Sequence, residues 1–306
     1  MMENRHVYII IVNYLRWQDT KECMASVLRS IYNNYSLFII DNDSGNDSLE
    51  HLRDHCDPGG KIWRVNELSA DLSKFSTINF IQNEKNEGFA AANNRILRLV
   101  RDTNAFVWLL NPDMVVQGDT LSKLLHFTSV NGLDTISGAT VQYHGGNHEL
   151  LFYGGGKVSF FSATVRPAKD MKQTKKLDYI SGACLFTQAN AFKRIGLLPE
   201  DYFLYWEETD WCYSAKKKGM KLFCCVDAVC YDKISTVIGK DFLANYYYCR
   251  NGLTFVGKYK RWLLPFALSA VQLRWLKRIF TRQSRQAKGI WKGLIDFLKG
   301  KQDAIQ

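Results

Sequence analysis

The stretch AFVWLLNPDMVVQG, residues 105–118, decides the fold. Its first six residues are apolar without a break, which predicts a strand buried on both faces and therefore a central, parallel one. Pro112 lacks a backbone N–H and has a fixed φ, so the strand must end there. Asp113 is then presented at the carboxyl end of a central strand, where open α/β sheets place their ligand crevice. A carboxylate at that point suits Mg²⁺ or Mn²⁺ held together with phosphate oxygens, although Asn-Pro-Asp alone also fits a simple turn.

The N-terminal half repeats a strand-then-helix pattern around this stretch. Apolar runs that each precede a segment with helical spacing lie at 6–12, 36–40, 78–82 and 105–110. This order predicts an α/β fold with a doubly wound, mostly parallel sheet. Shorter strand-like runs follow Gly132, at 135–143, 150–153, 157–161 and 179–187. They predict that the same sheet continues with mixed strand directions, and residues 57–77, which show no period, are expected to form a surface insertion.

The positive charge is concentrated at the C-terminus. Of the net charge of +10, the segment from Lys258 to Lys301 carries 12 Lys and Arg against the single acid Asp296. We therefore expect a catalytic domain over 1–257 and a basic helical extension over 258–306. No nucleic-acid-binding motif accompanies the charge, which argues against a nucleic-acid partner.

Aromatic and aliphatic residues alternate with Lys and Arg in this extension, as in KYKRWLLPF and GIWKGLIDFLKG. The pattern is typical of an amphipathic helix lying on an anionic membrane surface, and a basic helix packed on the protein body is the alternative. The longest apolar window, 262–273, is too short to span a bilayer.

The eight cysteines form no CxxC pair and no zinc spacing. Without a signal peptide, this predicts reduced thiols in the cytoplasm. Together with the basic extension, it predicts a peripheral location on the inner face of the cytoplasmic membrane.

Short polar residues close two of the other predicted strands. Asp41 follows the second strand and is suited to accept a hydrogen bond from a pyrimidine imide or a ribose hydroxyl, or to cap its own turn. Asn13 and Tyr14 stand where a dinucleotide-binding protein has GxGxxG, which argues strongly against that class. The stretch NEGFAAANN, 86–94, begins a helix with small residues, either for tight packing or to leave its N–H groups open to an anion.

A second acidic cluster, WEETDW at 206–211, follows an aromatic run. Carboxylates crowded in a partly apolar cleft have raised pKa values, and one of them can then act as a general base. The alternative is that these acids stabilise the amino end of a helix.

The chain resembles the family-2 inverting glycosyltransferases of GT-A fold, and among them the rhamnosyltransferase-like branch of bacterial surface-polysaccharide synthesis. The matching segments occur in family order: IIIVNY (9–14), FIIDNDS (38–44), NEGFAAANN (86–94), WLLNPD (108–113), SGAC (181–184), FLYWEETDW (203–211) and YYYCRN (246–251). The resemblance implies transfer of rhamnose or another hexose from a dTDP- or UDP-linked donor to a glycan or glycolipid acceptor. O-antigen, capsule and cell-wall polysaccharides are the products of that branch.

The resemblance also implies a role for each matching position. Glu208 corresponds to the general base, with Glu207 and Asp210 beside it, and Asp113 and Asp232 correspond to the metal ligands. Trp206 and Trp211 would contact the acceptor. The nucleotide sugar would be held by Asn13, Tyr14, Asp41, Asn42, Asn86, Gly88, Asn93, Asn111 and Asp113.

Two positions depart from the family pattern. Asp232 stands where many relatives have a metal-binding His, and Ser214 stands where an Arg often follows the acidic motif. Because of these departures, a catalytically impaired family member acting as a scaffold is an alternative function. A nucleotidyltransferase, which also uses a strand-end acid and a nucleotide site, is another.

Overall fold

The protein is built around one large mixed sheet. The computed structural model describes residues 5–234 and 242–301. The strands are β1 (Val7–Asn13), β2 (Tyr35–Asp41), β3 (Ile62–Arg64), β4 (Ile78–Gln82), β5 (Phe106–Leu110), β6 (Met114–Val116), β7 (Thr135–Tyr143), β8 (Leu150–Tyr153), β9 (Gly155–Ser159), β10 (Thr164–Pro167), β11 (Tyr179–Ile180), β12 (Cys184–Gln188) and β13 (Lys221–Asp232). The large sheet has the order β3-β4-β2-β1-β5-β12-β7-β13-β6, and β8 pairs with β7.

Helices cover the sheet and extend the chain beyond it. They are α1 (Trp17–Leu28), α2 (Ser48–Cys56), α3 (Gly88–Val100), α4 (Thr120–Asn131), α5 (Ala191–Arg194), α6 (Glu207–Lys217), α7 (Phe242–Tyr259), α8 (Leu264–Phe280) and α9 (Ser284–Leu298). None of the helices in the described residues is long and apolar enough to cross a bilayer.

Strand β5 lies at the centre of the sheet, as its unbroken apolar run predicts. It pairs in parallel with β1 and antiparallel with β12, and all five of its residues are buried. The parallel part of the sheet, from β3 to β5, therefore ends its strands along one edge, with Asn13 and Asp41 paired in register there. This edge carries the site described below.

The second half departs from the predicted single sheet. Strands β9, β10 and β11 form a separate three-stranded sheet, and the run 179–187 is split between β11 in that sheet and β12 in the large one. The expected insertion at 57–77 contributes β3 as an edge strand parallel to β4. Glycine explains the sharp passage from β8 to β9, because Gly154 has φ +65° and its backbone crosses directly over Gly138.

The expected domain boundary at 257/258 falls inside α7. Helix α9 packs along α7 at close range, since ideal Cβ atoms on Gly289 and Gly293 would come within 2.3 Å of the Phe242 carbonyl oxygen and 2.6 Å of the Tyr246 carbonyl oxygen. Leu253, Val256, Ile290 and Leu294 form an apolar cluster between the two helices. The basic segment is thus joined to α7 through a packed interface. This agrees with the alternative prediction that the extension contains a basic helix packed on the protein body.

Candidate active site

Asp113 and Asp232 lie side by side at the edge of the sheet. Strand β6 follows Asp113 directly and pairs antiparallel with β13, which places Asp232 opposite Met114. The backbone N–H of Lys233 donates to the Asp113 carbonyl oxygen at 3.2 Å. Burial and the nearby charge of Asp113 raise the pKa of Asp232 to about 6. The two acids that the resemblance assigns to a metal are therefore adjacent.

The chemistry of this pair fits a divalent cation. Two carboxylates in a partly buried position repel each other, and a hard cation with oxygen ligands relieves that repulsion. Within residues 5–234 and 242–301, no group of three or more His, Cys, Asp or Glu side chains is arranged to hold a metal. Asp113 and Asp232 would thus supply two ligands, and donor phosphate oxygens or water would complete the set.

The polar residues at the ends of β1 and β2 form a closed hydrogen-bond network. The buried Asp41 carboxylate accepts from the Asn13 amide at 2.6 Å, the Ser44 hydroxyl at 2.6 Å, the Ser44 N–H at 2.9 Å and the Gln82 amide at 3.1 Å. Asn13 in turn accepts from Thr20 at 2.6 Å. Because these groups form hydrogen bonds with one another, the network fixes the turn at 41–44. Asp41 therefore caps its own turn, which was one of the two roles predicted for it.

An open cavity of about 470 Å³ lies beside this turn. Its lining residues include Asp41, Asp43, Arg64, Gln82 and Asn83. Arg64 reaches the cavity because β3 pairs with β4 in the register Arg64 to Gln82. Sequence reasoning missed Arg64, because a three-residue edge strand has too few positions to show a period. Tyr14, half-buried, follows β1 next to the same turn.

The loop before α3 is fixed by amide side chains and by one glycine. Asn42 donates to the Asn86 side chain at 2.9 Å and accepts from the Glu87 N–H at 3.2 Å. Gly88 has φ +80°, and an ideal Cβ there would lie 2.2 Å from the Phe203 carbonyl oxygen. Only glycine permits that approach.

The amino end of α3 is already occupied by protein groups. The Gly88 N–H donates to the Asn86 side chain at 3.0 Å, and the Phe89 N–H donates to the Phe203 carbonyl oxygen at 2.9 Å. The buried Asn93 amide donates to the Phe89 carbonyl oxygen at 2.9 Å. The small residues of NEGFAAANN therefore serve close packing, and these N–H groups are not open to an anion.

The acidic cluster sits at the end of a strained loop. Phe203, Tyr205 and Trp206 all have positive φ, at 62°, 63° and 81°. Such conformations are unfavourable for residues with bulky side chains and persist only where the surroundings enforce them. Helix α6 then begins at Glu207.

Asn251 of α7 holds this loop. Its buried side-chain amide donates to the carbonyl oxygens of Tyr202 at 2.7 Å, Leu204 at 2.7 Å and Tyr205 at 3.0 Å. The Arg250 guanidinium donates to the Asn251 side-chain oxygen at 2.9 Å, which orients the amide. The sequence alone assigns the segment YYYCRN no role of its own, and the structure shows that it supports the acidic loop.

The two neighbouring glutamates differ in burial, and Glu207 is the more buried of the pair. Glu208 is half-buried and packs over Gly182 and Phe89: an ideal Cβ on Gly182 would lie 3.5 Å from its Cγ. Burial raises the pKa of Glu208 above the ordinary glutamate value. Burial, and then the charge of Glu208, raise the pKa of the buried Glu207 further. The like-charge effect therefore acts on Glu207, whereas burial is what raises the pKa of Glu208.

Asp210 is fully engaged in structural contacts. Its carboxylate accepts from the Tyr202 hydroxyl at 2.5 Å, the Tyr259 hydroxyl at 2.6 Å and the Lys258 ammonium at 2.8 Å. The Ser214 hydroxyl is 2.6 Å from the same Tyr259 hydroxyl. These contacts tie α6 to α7 and leave Asp210 poorly placed to accept a substrate proton.

The two tryptophans, which the resemblance assigns to acceptor contact, are buried against other aromatic rings. The Trp211 ring stacks on Phe192 with centroids 4.5 Å apart, and its N–H donates to the Gly196 carbonyl oxygen at 2.7 Å. Trp206 packs on Phe255, and its N–H donates to the Tyr248 carbonyl oxygen at 3.1 Å. Both side chains are buried, so the residues that bracket the acids in sequence anchor α6 in the core.

Tyr205 lies near both groups of acids. Burial, followed by the charges of Glu207, Glu208 and Asp113, raises the pKa of its phenol to about 12. The phenol is therefore within reach of the charges of Glu207 and Glu208 and of the charge of Asp113. Asn111, whose N–H donates to the Ala183 carbonyl oxygen at 3.0 Å, lies in the strand-end turn that leads to Asp113. The sequence did not single out Tyr205, because it is one of several aromatic residues in the run before the acidic cluster.

The part of the chain that carries the strand-end acid Asp113 and the cavity beside Asp41 matches the model of a known family. Residues 8–196 match the model of Glycosyl transferase family 2, which is more than half of the chain. The chain belongs to glycosyl transferase family 2. The match ends before the acidic loop, so Glu208 and α7 lie beyond the segment that defines membership of this family.

One curated relative of this family 2 protein is the low-salt glycan biosynthesis hexosyltransferase Agl10 of Haloferax volcanii. The two chains are 26% identical over 229 residues, which is 72% of this chain and 66% of the relative. The alignment thus covers slightly less than two thirds of the relative's length.

Solved structures share the GT-A architecture of this family 2 protein. The mannosyltransferase PcManGT of Pyrobaculum calidifontis, in complex with GDP-Man and Mn²⁺, has a TM-score of 0.58 and 11% identity, covering 97% of this chain and 88% of that one. GalNAc-T7 with UDP, GalNAc and Mn²⁺ has a TM-score of 0.58 and 15% identity, covering 87% and 54%. TarS 1-349 of S. aureus has a TM-score of 0.52 and 12% identity, covering 97% and 92%. At these identities the likeness concerns the fold.

Proposed function

We propose that this protein is an inverting hexosyltransferase that moves a sugar from a nucleoside-diphosphate donor to a hydroxyl of a glycan acceptor. The observation that carries the proposal is the placement of Glu208. Its carboxylate is half-buried, and its charge acts on the same Tyr205 phenol as the charge of Asp113, so the two acids lie on the same side of the molecule. A base on one side of a cleft and a phosphate-binding acid on the other fit displacement at a carbon held between them.

A residue of the chain itself takes up the proton that the acceptor hydroxyl loses. Glu208 accepts the acceptor hydroxyl proton while that oxygen attacks the anomeric carbon. The bond from that carbon to the diphosphate breaks, its electron pair leaves on the diphosphate, and the configuration inverts. A divalent cation at Asp113 and Asp232, when bound, neutralises negative charge on the leaving group.

A donor panel tests this function. dTDP-rhamnose, UDP-hexoses and GDP-mannose are each incubated with the protein, Mn²⁺ and a glycan acceptor, and nucleoside diphosphate release is measured. The proposal expects acceptor-dependent release from one donor class. Release of pyrophosphate from a nucleoside triphosphate would instead indicate a nucleotidyltransferase, and the absence of any product with every donor would favour a scaffold.

The metal assignment gives a separate prediction. Asp113→Asn removes one anionic oxygen ligand and is expected to weaken Mn²⁺-dependent binding of the nucleoside diphosphate by about tenfold or more. Calorimetry with and without EDTA measures this effect. Asp134→Asn, which changes an exposed surface carboxylate, is the matched control. Equal Mn²⁺-dependent binding by the two variants would contradict the role of Asp113.

The proposed acceptor is lipid-linked, and the protein is proposed to dock peripherally on an anionic membrane. Helix α8 and its flanks expose Trp262 (69%), Phe266 (56%) and Phe280 (81%), with Lys and Arg between them. These side chains point away from the interface between α7 and α9, and they suit insertion at the headgroup level.

Removing two of the exposed aromatics tests the docking. The double variant Trp262→Ser/Phe280→Ser is expected to bind phosphatidylglycerol vesicles about tenfold more weakly in a sedimentation assay, because buried apolar area is lost. Val130→Ser, at a position 71% exposed on α4, is the control. Unchanged vesicle binding by the double variant would exclude this surface.

A further inference from the structure

A second cavity, of about 350 Å³, lies between α7, α8 and α9. Helix α7 contributes Tyr248 and Cys249 to its lining, and helix α9 contributes Ile290. Helix α8 contributes Arg274, Lys277 and Arg278, so one wall carries three positive charges. The family motifs do not include any of these three cations.

The guanidinium of Arg274 is incompletely satisfied. Its Nε and Nη2 atoms are buried and have no hydrogen-bond partner within the part of the chain that the structure describes. Its guanidinium carbon lies 5.9 Å from the centroid of the Tyr248 ring, a contact with the ring face that leaves the N–H donors unused. A buried donor without an acceptor is costly, which points to a ligand that supplies one.

The protein does not neutralise this wall with acids of its own C-terminal segment. Helix α8 contains no Asp or Glu, and Asp296 is the single acid between Lys258 and Lys301. Asp296 accepts from the Tyr246 hydroxyl at 3.0 Å and from Lys292 at 2.8 Å, so it is engaged elsewhere. A planar guanidinium with two flanking cations matches the geometry and charge of a phosphate or diphosphate group.

Tyr248 places this cavity next to the proposed base. Its phenol oxygen accepts from the Val165 N–H at 2.9 Å. Burial raises the pKa of Tyr248, while the charge of Arg274 lowers it and that of Glu208 raises it, so both charges lie near the phenol. Tyr248 thus lines the cationic cavity and also lies within reach of the charge of Glu208.

Exposed apolar residues flank the cavity on the same helix. Leu273, Leu276 and Ile279 are all exposed and alternate along α8 with the cations. An apolar chain attached to the phosphate would thus lie along α8. This combination favours a phosphate ester of a lipid over free phosphate.

We propose that this cavity binds the diphosphate of a lipid-linked glycan acceptor through Arg274, Lys277 and Arg278, with the sugar next to the diphosphate extending past Tyr248 toward Glu208. The assignment rests on the proposed glycosyl transfer to a lipid-linked acceptor and adds a binding site for the diphosphate of that acceptor. The phosphate of a membrane phospholipid has the same chemistry, and it differs in lacking a glycan that must reach the base.

The test titrates farnesyl diphosphate, and separately inorganic pyrophosphate, into the full-length protein in EDTA, where a metal-dependent donor site does not hold a diphosphate. Arg274→Gln is expected to weaken farnesyl diphosphate binding by about tenfold or more, and Lys277→Gln by about threefold. Lys288→Gln, an exposed cation on α9 outside the cavity, should change it by less than about twofold. Pyrophosphate should bind more weakly than farnesyl diphosphate, and the three variants should rank in the same order by loss of affinity.

Two results would overturn the assignment. One is an equal loss of affinity in the Arg274 and Lys288 variants. The other is a loss seen only with phosphatidylglycerol vesicles, which would indicate a headgroup site. If the Arg274→Gln variant is unfolded at the assay temperature, the affinities of Lys277→Gln and Lys288→Gln for farnesyl diphosphate are compared instead. Equal affinities of these two variants would overturn the assignment. This test measures binding, whereas the donor panel measures nucleoside diphosphate release. A failure of the cavity proposal and a failure of the proposed glycosyl transfer can therefore be told apart.

Discussion

Replacing Glu208 with glutamine is expected to lower kcat by roughly 10²–10⁴ while donor binding is retained. Glutamine has the size of glutamate and still forms hydrogen bonds, but it does not accept a proton from the acceptor. Measuring kcat alongside calorimetric donor affinity separates the loss of chemistry from the loss of binding.

The neighbouring acids supply the controls for this experiment. Asp210→Asn weakens the contacts with Lys258, Tyr202 and Tyr259, so it should lower the melting temperature more than the turnover. Glu207→Gln removes a buried carboxylate whose Oε2 has no hydrogen-bond partner among the described residues, and it should change stability rather than proton transfer. Normal turnover by the Glu208 variant together with an inactive Asp210 variant would move the base to Asp210.

The raised pKa of Glu208 also predicts the pH profile. The base must be deprotonated, so kcat/KM should fall as the pH drops through a pKa that lies above the ordinary glutamate value. The same shift makes the folded state bind protons more tightly than the unfolded state. Its contribution to stability is therefore present at low pH and is lost as the pH rises through the folded-state pKa. A profile whose acid limb lies at the ordinary glutamate pKa would contradict the burial of this carboxylate.

Asn251→Ala is expected to cost about 2–5 kcal/mol of unfolding free energy, because the Leu204 and Tyr205 carbonyl oxygens lose this donor, whereas the Tyr202 carbonyl oxygen keeps the Leu204 N–H. The loop positions Glu208, and a displacement of about 1 Å at a catalytic group lowers turnover by about 10²-fold. The variant should thus be both less stable and less active. Denaturant unfolding and steady-state kinetics measure the two effects.

Thr254→Ala is the matched control for Asn251→Ala. Thr254 lies one turn further along α7, and its hydroxyl donates only within the helix, to the Arg250 carbonyl oxygen at 3.0 Å. Its removal should cost less than about 1 kcal/mol and leave kcat unchanged. If Asn251→Ala kept full activity at a temperature where it is folded, the loop would hold its geometry without α7.

The sequence was informative where local chemistry and topology coincide. The apolar run before Pro112 predicted the central strand and its end, and strand order then predicted that Asn13, Asp41 and Asp113 share one edge. The position of Asp232 beside Asp113 followed from the family pattern. The choice of Glu208 over Glu207 and Asp210 as the base also came from the family pattern, and it stays a prediction.

Other features depend on contacts between distant segments and gave no local signal. Trp206 and Trp211 looked like exposed aromatics beside acids, but partners at Phe255 and Phe192 bury them. Arg64 depends on the pairing of a three-residue strand. The separate sheet of β9 to β11 depends on Gly155 and Gly156, where ideal Cβ atoms would lie 1.9 Å and 2.1 Å from the backbone oxygens of the crossing strands.

The glycines of α9 limit how this enzyme can be recombined with its relatives. Gly289 and Gly293 let α9 contact the α7 backbone, α7 carries Asn251, and Asn251 holds the loop that ends at Glu208. A chimera that exchanged the C-terminal helices alone would place foreign side chains against α7 and shift the loop. An exchange that keeps activity should therefore transfer residues 200–301 as one block, so that the C-terminal helices and the proposed base are inherited together.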